Sequence, residues 1–356
     1  MKHLSLFLTL LILTPAANAK SWLFVSLLQK KQIVIFEQNS QTGELTRHGV
    51  KDCDEEPAAM AVSQDRKTLY VAYRSSQELA AFRINKDTGE LQLLNRVPGG
   101  DDPAYLLPIR NDQYLLSAYY VSNKVVVHAL KEDGSLSAEP LQTVPTAEKA
   151  HGIATTAGEN RVWVTHTGAN RIYQFRFSRR GRLRPLDPPF VATPDGHHPR
   201  HIAVHPSGKW AYTSNEAGSS EDDGLSVYSI DSESSSLTEI QSITSVPADF
   251  DASKNSTARC EMTRDGKFVY VANRGHDSIA GYAIDQTTGK AEPLGHFPTE
   301  SVPRSFTTSA DGRFLYAAGQ ASGRLAAFRI SEDGRLERFE TYDSGPVSWW
   351  AILVED

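Results

Sequence analysis

The chain has 356 residues, with 37 Lys and Arg against 43 Asp and Glu, a formal net charge of −6 and 40% hydrophobic residues. That length would suit two or three average domains or one longer repeat fold. With a mild acidic balance and no basic stripe, nucleic acid is not an expected partner.

Residues 1–19 read as a separate segment. Lys2 supplies a positive start, Leu4–Leu13 an apolar core, and Ala17-Asn18-Ala19 a small-x-small cleavage site. The apolar run is too short to span a bilayer. The expectation is a signal peptide cut after Ala19 and a mature domain, 20–356, that is periplasmic or secreted, with no membrane span after cleavage.

From Lys20 onward one phrase repeats, written most clearly as PRSFTTSADGRFLYAAGQASGRLAAFRI at Pro303–Ile330. It holds three short runs rich in β-branched and aromatic residues, bounded by Gly, Asp and Ser, and so reads as three strands. The second apolar position of the middle run falls at Leu23, Leu69, Leu115, Val162, Ala211, Val269 and Leu315, with spacings of 46, 46, 47, 49, 58 and 46. A first run precedes six of these seven, starting at Pro57, Pro103, His151, Pro199, Ala258 and Pro303. Leu23 has none before it. The missing run is PVSWWAILV from Pro346, at the other end of the chain. A C-terminal strand that completes the first repeat closes a ring and removes open sheet edges. Repeats of about 40–50 residues with several strands each are propeller blades. The prediction is an all-β, seven-bladed β-propeller of four-stranded blades, closed by the C-terminal strand, with Trp349 and Trp350 packed between blades. An open solenoid or sandwich would give the split repeat no purpose.

Turn phrases such as TGEL at Thr42 and DTGEL at Asp87 mark entry to the outer strands, where Gly supplies the positive φ of a tight turn. Two insertions break the period. One, over 218–224, is acidic and reads as decoration. The other, over 244–257, reads as a rim of a binding site. Cys53 and Cys260 fall far apart in the repeats and are expected to be free. No CxxC or HExxH motif is present, and the histidines show no metal-ligand spacing, so no metal and no cofactor is expected.

In a propeller the innermost strands line the central channel, and its mouths bind ligands. This chain places polar residues there. Arg200 and His201 follow Pro199, Arg304 follows Pro303, His151 opens its strand, and Arg259 lies near the head of another. At the ends of middle strands stand Arg74, Tyr119, Glu216 after Asn215, Arg274 after Asn273, and Gln320. Converging guanidinium groups suit a carboxylate, a phosphate or an oxyanion. His151 and Glu216 can exchange protons. Each Arg could instead pair with an acid and stitch neighbouring blades.

The phrases PRHIAVHPSGKWAYTSNE, EMTRDGKFVYVANRG and PRSFTTSADGRFLYAAGQ resemble those of the β-propeller lactonase family. That family includes the propeller-type 6-phosphogluconolactonase and the 3-carboxy-cis,cis-muconate lactonising enzyme. The resemblance covers nearly all of the mature chain and is strongest from His151 onward. It implies a functional set of His151, Arg200, Glu216 and Arg274, with Arg74, Tyr119, His201, Arg304 and Gln320 at the substrate-binding rim. Arg259 departs from the acidic or neutral residue common there.

The implied function is a metal-independent lactone hydrolase acting on a sugar lactone at the channel mouth, as a monomer. The family's phosphorylated substrate is cytosolic, whereas this chain reads as exported, which leaves the phosphate open. The alternatives are an exported non-catalytic binding or scaffold propeller, or a lactonising or cycloisomerase activity on a carboxylated substrate. The first requires no meeting of Arg200, Glu216 and Arg274 in one mouth.

Overall fold

The structure, a computed structural model, describes residues 20–216 and 224–355. Residues 1–19, expected to be a signal peptide, and most of the acidic insertion, Glu221–Asp223 included, lie outside the described residues.

Seven four-stranded antiparallel sheets form the domain, in agreement with the period of the sequence. Their innermost strands are Pro57–Val62, Pro103–Ile109, Ala150–Thr155, Pro199–Val204, Thr257–Met262, Pro303–Thr308 and Ser348–Val354. Each inner strand packs against the next right round the ring. The first blade is split as predicted. Ser348–Val354 pairs antiparallel with Ser21–Leu27, setting Val25 opposite Ala351 and Ser26 opposite Trp350. Both termini of the propeller are thereby sealed into one sheet, and no inner edge is left to pair with another chain.

The core lies between blades. Middle strands such as Thr68–Tyr73 and Phe314–Gly319 are buried at every position, which is why they read as continuous apolar runs rather than alternating ones. A repeated stitch fixes the spacing of the blades. A middle-strand tyrosine donates its hydroxyl to the carbonyl of the turn glycine in the next blade: Tyr70 to Gly134 (3.0 Å), Tyr212 to Gly289 (2.7 Å) and Tyr270 to Gly334 (2.8 Å). Tyr316 makes the same bond to Gly43 (2.7 Å) across the join between last and first blades. Gly43 has φ 78° and Gly134 φ 86°, and a Cβ on Gly43 would meet the Phe314 ring at 2.3 Å, so only glycine serves there.

Cys53 and Cys260 are both free thiols. Burial pushes Cys260 up to about 12.

His128 lies buried in strand Lys124–Ala129, and neither ring nitrogen has a hydrogen-bond partner. Burial lowers its pKa from 6.5 to about 4. The unfolded chain takes up this proton below pH 6.5, while the folded chain refuses it until about pH 4. Stability is therefore complete above pH 6.5 and is lost as the pH falls toward 4, by up to roughly 3 kcal/mol. Denaturant titrations of His128→Leu at pH 7.0 and 4.5 should show a smaller loss between the two pH values than the parent chain shows.

Candidate active site at the channel mouth

One register rule builds the site. The residue that follows a middle strand stands at one mouth of the channel. This places Arg74 after Tyr73, Tyr120 after Tyr119, Glu216 after Asn215 and Arg274 after Asn273. The preceding asparagines are fully buried anchors. Asn215 Nδ2 donates to Ser226 Oγ (2.9 Å), and Asn273 Nδ2 donates to the Ser245 carbonyl (2.6 Å).

The inner strands contribute by a second device. Their pairing with the middle strands shifts at the same end, between Ala150 and Ile153, between Pro199 and His201, and between Pro303 and Ser305. A bulge re-aims the side chain within it. His151, Arg200 and Arg304 lie in these bulges and turn into the mouth. Gly152 allows the close approach of two blades there, since a Cβ would lie 2.5 Å from the Arg200 carbonyl. Thr165 Oγ1 donates to that same carbonyl at 2.5 Å.

These residues surround a cleft of about 250 Å³, whose walls include Arg74, Asp102, Tyr120, His151, Arg200, Glu216, Arg274, Arg304, Trp349 and Trp350. Glu216 Oε1 lies 2.7 Å from Arg274 Nη2 and 3.5 Å from Arg200 Nε. Arg274 is further fixed by donating to Ser256 Oγ (2.5 Å) and the Thr257 carbonyl (2.9 Å). Burial alone would raise the pKa of Glu216, but Arg200 and Arg274 outweigh it, and the net shift is downward. The carboxylate therefore stays ionised. Arg200 is 2% exposed and donates from Nη1 to His201 Nε2 at 3.1 Å. A guanidinium can only donate, so His201 Nε2 accepts and its proton sits on Nδ1.

His151 is buried, with Nδ1 unpartnered and its ring 5.1 Å from that of His201. Burial, and after it the guanidiniums of Arg200, Arg304 and Arg274, hold its pKa well below the ordinary histidine value. It is neutral at physiological pH.

The opposite wall is aromatic and basic. The Arg304 guanidinium stacks on Trp349 at 3.7 Å, and Arg74 lies 5.0 Å from the same ring. Arg74 is paired with Asp102 at 2.9 Å. Among the described residues, no carboxylate pairs with Arg304. Burial, then Arg200 and Arg274, disfavours its charge. The cleft thus sets four guanidiniums against two carboxylates, an excess of two positive charges. An entering anion relieves that repulsion.

The structure brings together six of the predicted residues: His151, Arg200, Glu216, Arg274, Arg74 and Arg304. Three others need correction. Tyr119 is fully buried, with its ring under the Lys124 ammonium and its hydroxyl 3.4 Å from Ser117 Oγ. Tyr120, one residue on, lines the cleft, because successive side chains point to opposite sides. Gln320 occupies the equivalent place in its blade but is absent from the cleft wall, which Arg304 and Trp349 form instead. His201 lies beneath the cleft among Tyr105, His151 and Trp350 rather than on its wall.

Arg259 also sits below, over the Trp350 ring at 4.8 Å and bonded to Glu261. Asp102, Trp349 and Trp350 were missed as site residues. The tryptophans could have been found from the closure itself, since the closing strand is an inner strand and must face the channel. The 244–257 insertion supports the cleft without lining it: Ser256 Oγ donates to the Glu216 carbonyl at 2.9 Å. A larger crevice of about 570 Å³ between the second and third blades gathers acids and lysines but no comparable convergence.

The fold and the site define a propeller with an arginine-rich mouth that carries an ionised carboxylate and a neutral imidazole. Residues 23–352 match the family model described as lactonase, 7-bladed beta-propeller, and the chain belongs to that family. It is 30% identical over 329 residues to the 6-phosphogluconolactonase of Enterobacter sp. strain 638, covering 91% of this chain and 96% of the relative. It is 28% identical over 326 residues to that of Cronobacter sakazakii, with 91% and 96% covered. Among solved structures, the periplasmic gluconolactonase of Pseudomonas aeruginosa superposes with a TM-score of 0.85 at 22% identity, over 94% of this chain and 99% of that one.

Because Trp349 touches two guanidiniums, it reports on anion entry. Inorganic phosphate should change the tryptophan fluorescence saturably. In Arg304→Gln the affinity should fall about tenfold or more, the loss of one charge-assisted hydrogen bond. Equal affinity in that variant would remove Arg304 from the anion site.

Proposed function

We propose that this protein is a lactone hydrolase of the 6-phosphogluconolactonase type that opens an aldonolactone at the channel mouth. The observation that carries this reading is the placement of ionised Glu216 between Arg200 and Arg274, beside neutral His151, in a cleft with excess positive charge. The meeting of Arg200, Glu216 and Arg274 in one mouth favours an enzyme over a binding scaffold.

The chemistry follows from these groups. A water attacks the lactone carbonyl carbon, and Glu216 takes its proton. The carbonyl oxygen becomes an oxyanion, which the guanidiniums stabilise more strongly than they do the neutral carbonyl. As the bond from that carbon to the ring oxygen breaks, the proton held on Glu216 returns to the ring oxygen, leaving a hydroxy acid. His151, uncharged, orients the water or the lactone hydroxyls. Its neutrality keeps a further positive charge away from an already basic mouth. A carboxylate clamped by two arginines is a weak base, but the demand is modest because lactones also open unaided. General-base help contributes ~10²–10⁴-fold. The charge excess favours a lactone that carries an anionic group.

Glu216→Gln should keep the fold and lower turnover of glucono-1,5-lactone or its 6-phospho form by at least an order of magnitude above the spontaneous rate. Unchanged turnover would take Glu216 out of the mechanism. The pH profile gives an independent check. With Glu216 held ionised and His151 held neutral, the acid side of the kcat/KM profile should show no inflection near pH 6.5 and should fall only below the ordinary glutamate range near 4.5. An inflection near 6.5 would contradict the assigned charge states.

We propose also that residues 1–19 are an export leader, on the pattern of Lys2, the Leu4–Leu13 apolar core and Ala17-Asn18-Ala19. N-terminal sequencing of the protein recovered from a bacterial periplasm should begin at Lys20. A first residue of Met1 would contradict it.

A further inference from the structure

Five arginines fall within residues 176–184, and the strand register extends them into a stripe. In the fourth blade Arg161 stands directly opposite Arg176, and Arg176 directly opposite Arg184, on three neighbouring strands. The turn between the two outer strands adds Arg179, Arg180 and Arg182. Arg176, Arg179, Arg180, Arg182 and Arg184 are all exposed. Among the described residues none of the six forms a salt bridge, although Glu159 and Asp187 flank them in sequence. Two are steadied by neutral groups of adjacent blades: Arg161 Nε donates to Ser235 Oγ (2.7 Å), and Arg182 donates to the Leu141 carbonyl.

Like charges placed directly opposite across a ladder are destabilising. Burial and the neighbouring Arg176 both disfavour the charge on Arg161. A chain of net charge −6 therefore concentrates unpaired arginines where they weaken its own sheet. Such an arrangement is relieved by an anionic surface. Its position is also defined. Middle strands end at the catalytic mouth, so Arg161, the first residue of strand Arg161–His166, lies at the opposite face. An occupant there leaves the cleft open.

The composition of the patch selects the occupant. Beside the arginines stand exposed Pro185, Pro188 and Pro189 and half-buried Leu186. Among the described residues no aromatic ring beside them is fully exposed: Tyr114, Tyr173 and Phe190 are half-buried and Phe177 is buried. Proteins that hold single-stranded nucleic acid pair their cations with such rings, on which bases stack. Arginines flanked by small apolar side chains suit the boundary between phosphate headgroups and acyl chains.

We propose that the fourth-blade arginine ladder docks the protein on an anionic phospholipid surface, with the lactone cleft facing away into solvent. The net negative charge of the rest of the molecule repels the same surface and so orients the docking.

The test is co-sedimentation of the purified chain with phosphatidylcholine vesicles and with vesicles that also contain phosphatidylglycerol. The chain should sediment only with the second kind, and raised salt should release it. The double variant Arg176→Ala, Arg184→Ala should bind roughly 30-fold more weakly, about fivefold for each arginine. It removes the facing like charges, so its melting temperature should not fall, and lactone turnover should be unchanged. Equal sedimentation with both vesicle types, or equal binding by the double variant, overturns the proposal. Binding to duplex DNA without binding to the charged vesicles overturns the lipid assignment.

Discussion

Closure of the ring by the C-terminal strand is the constraint on which the rest depends. Seven four-stranded blades are stable only when each packs on two neighbours, and the first blade exists only because Ser348–Val354 pairs with Ser21–Leu27. The same act shapes the site. The closing strand is an inner strand, so closure delivers Trp349 and Trp350 to the channel mouth. Without it Arg304 would lose the ring it stacks on, and Arg259 the ring beneath it.

The cleft is then a problem in electrostatics solved by placement. Arg200, Arg274, Arg304 and Arg74 converge from four blades, and their mutual repulsion is only partly met by Glu216 and Asp102. Stacking on Trp349, neutral imidazoles and backbone carbonyls accommodate the remainder. Burial first, and then the guanidiniums, depress the pKa of His151, and the same guanidiniums keep Glu216 ionised, because a nearby cation disfavours the protonated form of both groups. A mouth of this charge favours an anion, whether that anion is a substituent of the substrate or the oxyanion formed during ring opening.

The blade count, the split first blade and the closing strand were legible in the sequence, because periodicity and a missing first strand are properties of order alone. The mouth was legible where a charged residue interrupts an otherwise apolar phrase, as at Arg200, Glu216 and Arg274. It was not legible where a single step along the chain changes the side faced. Tyr119 and Tyr120 are alike in chemistry, and only the end of strand Tyr114–Tyr119 decides which one meets the cleft. The bulges that turn His151 and Arg304 inward have no sequence mark beyond the glycine after His151 and the proline before Arg304. The arginine ladder was hidden for the same reason. Arg176 and Arg184 fall in one arginine-rich run, 176–184, but Arg161 stands apart in the chain, and only register sets the three in a row across neighbouring strands.

The most direct test of the account is a crystal structure of the protein soaked with an aldonate, the hydroxy-acid product of ring opening. The account predicts that the product lies in the cleft, with its carboxylate on the guanidiniums of Arg200, Arg274 or Arg304 and its former ring oxygen within reach of Glu216 or His151. Product bound instead in the crevice between the second and third blades, with the mouth holding only water, would contradict it.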